Sequence, residues 1–383
     1  MAAGAVLMGA MNDLLDHTVA DRLAGQLRSA AAYDGGPEKM AGEWTRLRAA
    51  VATVGAAGSD ELSLRQRTDL LSAAIVADLP GYDRLAATVR RALADETFTG
   101  WALWPVGEAA VTAALGQGGE AVLDDCMALL AQLTPRMTSE FAVRRLLDAD
   151  LERSLRAARG WALDADPAVR RLASEGTRPL LPWAVRVPAI TARPDAAADL
   201  LDLLHDDPDE VVRRSVANHV NDLSRLDPDR AVGLVAGWVD GSRATDRLVR
   251  HALRTLVKQA HPGALEVLGV GPVSVEVGEV RLAAQRVVLP GHIELSAEIV
   301  NTGADPADLL VDYVIHFVKA SGRTAPKVFK LTRATVLPGE TLTVTRRHAV
   351  HQMTTRVHHP GVHVIELQVN GVRHGRAEVE LAV

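Results

Sequence analysis

Three seven-residue segments constrain this chain more than anything else in it. VRRLASE at Val169, VRRSVAN at Val212 and VRHALRT at Val249 align with one another, at spacings of 43 and 37 residues. Such spacings are close to the period of HEAT-type helical pairs. From about Met11 to Leu268 apolar residues recur every three or four positions, which predicts helices. A single pair cannot bury its own apolar face, so successive pairs must stack into a curved solenoid, its concave face built from successive second helices. DADP and DDPDE precede the first two copies. They predict that Asp166 and Asp207 cap their helices, with Pro167 and Pro208 in the first turn. Glu175 and Asn218 occupy the same repeat position and are predicted to be neighbours on one face. Earlier repeats, through Leu70 to Leu146, have diverged too far to set a register.

After Gly269 the text changes. GEVRLAAQRVVLPGHIELSAEIVNTGADPADLLVDYVIHFVKASGR alternates, is rich in Val and Ile, and is broken by Asn-Thr-Gly, Pro-Gly and Ser-Gly. That pattern predicts strands joined by turns, in a small β-sandwich. With 383 residues the chain is too long for one ordinary core. The reading is a mainly α chain: a HEAT-like α-solenoid over residues 1–268, then a small all-β sandwich over residues 269–383. The short connection LGVGPVSVEVG limits the orientations the two can take.

Formal net charge is −6, so the molecule as a whole is not a basic nucleic-acid binder, although a local patch can be basic on an acidic protein. Residues 121–268 carry 20 basic side chains, all arginine except Lys258, against 22 acidic ones. Arginines at the VRR sites can grip phosphates bidentately or pair with nearby aspartates on an exposed face; composition leaves both readings open. One cysteine, Cys126, excludes an internal disulfide and points to a reducing interior. No apolar run reaches membrane-spanning length, so no membrane partner is expected. MAAGAVLMGAM has no positive flank and is not predicted to be a signal peptide. The cytoplasm is the expected location, and a monomer the expected state.

Three stretches hold candidate chemistry, each with an ordinary structural alternative. In TSEFAVRRLL, Thr138 or Ser139 can cap a helix, with Glu140 in its first turn and Arg144 four residues on. The alternative is a capped helix with an i, i+4 ion pair. In ASEGTRPLLPW, Glu175 and Arg178 are three apart. Gly176 between them lowers helix propensity by about 1 kcal/mol, a cost that suggests close backbone approach. Pro179 and Pro182 then stop the helix before Trp183; the alternative is a helix end with a core tryptophan. In RRSVANHVNDL, Asn218 and Asp222 are one turn apart, and the alternative is a polar ladder. Taken together, the three can meet on one concave surface. Crowded carboxylates beside an indole suit a cation, by charge and by cation–π attraction of about 0.5–2 kcal/mol. Rim arginines suit phosphates. A polyanion carrying a local cation fits both, and an alkylated DNA base is such an object.

These residues carry a resemblance. TSEFAVRRLL, DPAVRRLASEGTRPLLPW and VRRSVANHVNDL are similar to the HEAT-like DNA glycosylases, and more closely to their AlkC branch. VDYVIHFVKASGRTAPKVFKL and HQMTTRVHHPGVHVIELQVNG resemble the Ig-like extension of one AlkC subgroup. The likeness runs from about Leu130 to the C-terminus. It implies excision of positively charged N3-methylated bases, 3-methyladenine and 3-methylcytosine, from sharply bent duplex DNA, with no metal or nucleotide cofactor. Matched residue by residue, it implies that Asp222, Glu175 and Glu140 are catalytic. Trp183 and Arg178 match its lesion-binding positions, and Asn218 joins them from its place in the repeat. One departure is Arg145, where the family pattern has proline, and it bears on the geometry of the adjoining helix.

DNA contacts are expected from Arg144, Arg171 and Arg214 on the helices. In the β domain they are expected from Lys319, Arg323 and Lys327 around the SGRTAP hairpin, and from Arg356 in TTRVHHPG, the sandwich closing over the DNA; solvated hairpin charges are the alternative. Eight of the 13 histidines lie after residue 268, but their spacing matches no zinc pattern, and His358-His359 before Pro360-Gly361 suits a turn. The competing reading of the whole chain is a non-catalytic HEAT scaffold that binds DNA or protein.

Overall fold

The structure, a computed structural model, describes residues 13–32, 44–56, 62–239, 241–352 and 357–382. MAAGAVLMGAM and Arg356 lie outside the described residues. The chain forms HEAT-like helical repeats followed by an Ig-like β-sandwich. It divides into two compact units: one runs to Asp227 and includes Arg243–Ala252, and the other comprises Pro228–Ser242 and everything from Leu253 onward.

In the first unit the first two aligned segments fall on the helices Pro167–Gly176 and Glu210–Leu223, and the third opens on the last turn of the helix Arg243–Ala252 and runs past its end. Each packs on the next in chain order. The valine that opens each segment is in the core, with Val169, Val212 and Val249 at 4%, 0% and 2% exposure. Burying one apolar stripe per helix against its neighbour is what fixes the repeat. Asp166 caps the first helix, accepting from the Ala168 N–H at 2.7 Å, with Pro167 in the first turn. The second copy differs from expectation. Its cap is Asp209, which accepts from Val211 N–H at 2.7 Å, and Pro208 lies outside the helix. Asp207 is occupied elsewhere: it accepts from Arg170 at 2.6 and 3.1 Å and from Asp209 N–H at 2.8 Å.

The same pairing accounts for several other arginines. Arg153 meets Asp124, Glu120 and Asp150, and Arg159 meets Asp199. Arg145 sits in the first turn of the helix Val143–Ala149, where proline is also tolerated. The position that departs from the family pattern therefore leaves the helix undisturbed. Its guanidinium instead reaches Thr112 Oγ1 at 2.6 Å and comes within 4.0 Å of Glu108.

The second unit contains the sandwich. Its strands are β1 (Val275–Val277), β2 (Arg281–Leu282), β3 (Arg286–Val288), β4 (Gly291–Asn301), β5 (Ala307–Val318), β6 (Thr324–Val336), β7 (Thr341–Val350), β8 (Gly361–Val369) and β9 (Val372–Ala382). One sheet has the order β1-β4-β2 with β7 also on β4; the other has the order β3-β9-β8-β5-β6. All pairings are antiparallel except β3 with β9. Alternate residues of β4 and β5, among them Ile293, Leu295, Ile299, Leu309 and Tyr313, face the shared core.

The helical residues just before the strands pack on this sandwich. Asn370 donates to the Gly271 carbonyl at 2.9 Å, and Arg333 to the Leu268 carbonyl at 3.2 Å. Gly371, at φ +85°, lies so close that a Cβ there would be 2.9 Å from both Ala260 and Leu265. Packing therefore joins Leu253–Leu268 to the β unit, ahead of the change from helix to strand.

Histidines and aromatics gather on the inner side of β5. His348 Nδ1 is 2.8 Å from Tyr313 Oη, and His363 accepts from Val318 N–H at 3.3 Å while donating to the Gly361 carbonyl at 3.0 Å. Phe317 is within 6.3 Å, ring centre to ring centre, of His348, His358 and His363. Among the described residues no group of three His, Cys, Asp or Glu is placed to hold a metal ion.

Candidate active site

The site grows from the C-terminal turn of the helix Pro167–Gly176 and the facing side of Glu210–Leu223. Glu175 is the penultimate residue of the first helix and is 6% exposed. The helix must end close against its neighbour here, because a Cβ on Gly176 would sit 2.9 Å from Val143 Cγ1. That is the close approach the glycine suggests in the sequence. Val143 is buried and β-branched, so it cannot turn aside cheaply. Gly176→Ala is therefore expected to destabilise the protein by about 1–3 kcal/mol, although alanine is the better helix former. Thermal unfolding checks this, and adding Val143→Ala should recover part of the loss.

Arg178 lies just beyond the helix and joins two acids. Its Nη1 donates to Glu175 Oε1 at 2.5 Å, and its Nε and Nη2 donate to Asp222 Oδ2 and Oδ1 at 2.9 and 3.2 Å. Burial works to lower the pKa of this guanidinium, but the hydrogen bonds and charges of Asp222 and Glu175 outweigh it and hold the value above normal. Asp222 also accepts from the Leu180 N–H at 3.3 Å. The other Glu175 oxygen accepts from Ser215 Oγ at 2.7 Å. Arg171 completes the set, donating to Glu140 Oε2 at 2.8 Å with Nη2 3.7 Å from Glu175. Three carboxylates and two guanidiniums thus form one continuous polar network on three neighbouring segments.

Trp183 follows Arg178 by five residues and is not in the core. It is 70% exposed and adopts φ +63° in the loop between Gly176 and the helix Pro188–Ala192. A bulky residue in the left-handed region is uncommon and held by its surroundings, which directs attention to function.

Other predicted site residues are placed differently. Glu140 does not pair with Arg144: it lies in the turn before the helix Val143–Ala149 and pairs with Arg171, while Thr138 and Ser139 do not cap that helix by their side chains. The expectation that Arg144 meets DNA phosphates is corrected, because Arg144 is 0% exposed and donates to backbone carbonyls. Arg171 points at Glu140, and Arg214 is exposed beside Glu210 at 3.3 Å. Asn218 turns toward the next repeat, its Oδ1 3.0 Å from His251 Nε2, whereas Glu175 at the equal repeat position turns to Arg178 and Ser215. Lys319, Arg323 and Lys327 are exposed about the β5–β6 hairpin, Lys327 Nζ lying 5.4 Å from the Phe329 ring centre.

Sequence reasoning misses Ser215 and His219. Ser215 carries a signal: it occupies the repeat position that holds Leu172 and Ala252 in the other copies, where a polar residue is out of place. His219 is buried with Nδ1 donating to the Ser174 carbonyl at 3.0 Å, and burial brings its pKa down to about 4. Outside this network the buried carboxylate Glu108 accepts from Trp104 Nε1 at 3.2 Å and Arg65 Nη1 at 3.1 Å, and the Trp104 ring lies tilted against Phe141, 4.7 Å between centres.

Residues 276–383 match the family described as "Uncharacterised protein YhaZ, C-terminal Ig-like domain". The chain is 34% identical to YhaZ of Bacillus subtilis (strain 168) over 256 residues, which cover 67% of this chain and 71% of that protein. It is also similar to Pseudomonas fluorescens alkylpurine DNA glycosylase AlkC, solved bound to DNA containing an abasic site analog. That similarity has a TM-score of 0.84 and 32% identity, and spans 97% of this chain and 99% of the other.

Proposed function

We propose, starting from the fact that the chain belongs to the AlkC-type family of HEAT-like-repeat DNA glycosylases, in the subgroup with a C-terminal Ig-like domain, that it excises cationic N3-methylated bases, 3-methylcytosine and 3-methyladenine, from duplex DNA. The coarser activity, an alkylation-repair DNA glycosylase, rests on the likeness to AlkC over nearly the whole of both chains. The observation that carries the finer reading is the network of Glu140, Glu175 and Asp222, with the exposed Trp183 on the segment that follows Arg178.

Methylation at N3 gives the base a positive charge. When the N-glycosidic bond breaks, its electron pair goes to the base, which departs neutral and needs little acid assistance. Positive charge then develops on the sugar, as in other glycoside hydrolyses. Asp222 and Glu175, held in place by Arg178, stabilise that charge, and water adds at the anomeric carbon with its proton passing to a carboxylate or to solvent. Trp183 offers an indole face to the cationic nucleotide. The protein acts in this reading as a cytoplasmic monomer without a cofactor. Incubation with methylated duplex, followed by chromatography of free bases, tests the reading; intact DNA with no 3-methylcytosine or 3-methyladenine released would refute it.

The exposed hairpin residues Lys319, Arg323 and Lys327 are assigned to DNA phosphates. Changing all three to Gln should weaken binding and flatten its dependence on salt, by about 0.9 in the log–log slope for each phosphate no longer neutralised. Binding titrations at several salt concentrations check this. An unchanged slope would return these side chains to simple solvated charges.

A further inference from the structure

Among the described residues Arg144 is the bulkiest side chain that is fully buried, and its hydrogen bonds go to no carboxylate. A cation inside a protein without a carboxylate partner is costly, and an apolar side chain of the same size is often the more stable choice. What Arg144 does hold is the segment that carries Arg178 and Trp183. Its Nη1 donates to the Gly176 carbonyl at 3.1 Å and to the Arg178 carbonyl at 2.5 Å, at the start of the segment. Its Nε donates to the Val185 carbonyl at 3.1 Å, at the far end. One planar guanidinium therefore joins both ends of a loop at whose tip Trp183 is held in an unfavourable backbone region. The Gly176 carbonyl also lies at the C-terminal end of its helix, where a cation is favoured. Lysine cannot reproduce this, because it is a point charge without a rigid fork of donors.

We propose that Arg144 is a positioning residue: it shapes the loop from Thr177 to Val187 so that Arg178 faces the acids and Trp183 faces the lesion. It touches neither DNA nor the reacting atoms. The assignment rests on the glycosylase reading for its effect on rate, but not for its effect on the loop. Two variants test it. Arg144→Lys keeps the charge without the fork, and Arg144→Met keeps the bulk without charge or donors.

Both should retain the helical circular dichroism of the parent. In both, amide hydrogen exchange over residues 177–187 should quicken at least tenfold relative to the rest of the helical unit. Excision by Arg144→Lys should fall at least tenfold in kcat, with affinity for undamaged duplex within twofold of the parent. In a Trp183→Ala background the same change should cost much less, because both act through one loop. Parental exchange over 177–187 in both variants would overturn the proposal, as would fully multiplicative losses in the double variant. Global unfolding of both would also overturn it, making Arg144 a support of the whole stack and not of this loop. If the parent itself releases no methylated base, the glycosylase reading fails while the exchange measurement still decides the role of Arg144.

Discussion

Asp222→Asn is expected to slow excision of cationic methylated bases by more than tenfold, a loss of more than about 1.4 kcal/mol of transition-state stabilisation. Affinity for undamaged duplex should hardly change. Asparagine keeps the shape of the side chain and removes the negative charge that the developing oxocarbenium would meet. It also turns an N–H toward Arg178, whose Nε and Nη2 both donate to Asp222 in the parent. Some stability is lost with that bond, on the order of 1–3 kcal/mol, so single-turnover rates belong at temperatures where the variant is fully folded. Glu175→Gln should act in the same direction, because Glu175 shares Arg178 and takes a second hydrogen bond from Ser215. Parental excision rates in both variants would remove Asp222 and Glu175 from the mechanism.

The helical unit should also lose stability in mild acid. His219 is neutral when folded, its pKa brought to about 4 chiefly by burial, against about 6.5 when unfolded. Between those values the unfolded chain binds the extra proton. This stability is therefore complete above pH 6.5 and is lost as pH falls toward 4, by on the order of 3 kcal/mol in total. In the sandwich burial brings His348 down to about 4 and also lowers His363 and His374, so acid works against the fold there. Burial pushes the Asp312 carboxyl up to about 6, so the fold accepts that proton readily, which offsets part of the effect. Thermal unfolding followed by the helical signal should thus fall in midpoint between pH 7 and pH 5, and His219→Gln should flatten that slope. Equal slopes in parent and variant would show that His219 is not the group responsible.

Much of this protein can be read from its residues alone. Recurrence of VRR at Val169 and Val212, and of its variant VRH at Val249, determines a helical stack, because each amphipathic helix has only its neighbour to bury against. The alternating text after Gly269 determines a sandwich, because period two puts one face of every strand inward. Gly176 is informative for a similar reason: a glycine in a helix is a cost, and the cost marks the contact with Val143.

What the sequence could not decide is where each arginine points. The Glu140–Arg144 and Glu175–Arg178 spacings look alike as local pairs. Yet Arg178 pairs as its spacing suggests, while Arg144 turns inward to three carbonyls and leaves Glu140 to Arg171. Asp207 likewise gives up its place as a helix cap to Arg170, 37 residues away in the chain. A long side chain carrying a planar fork of donors can satisfy a local partner or a distant one at similar energy. Helix periodicity specifies which side of a helix a residue occupies, and burial against the next repeat then decides which acceptor lies within reach. Trp183 is exposed by the same logic, since no spacing rule records a loop whose two ends are held from beneath.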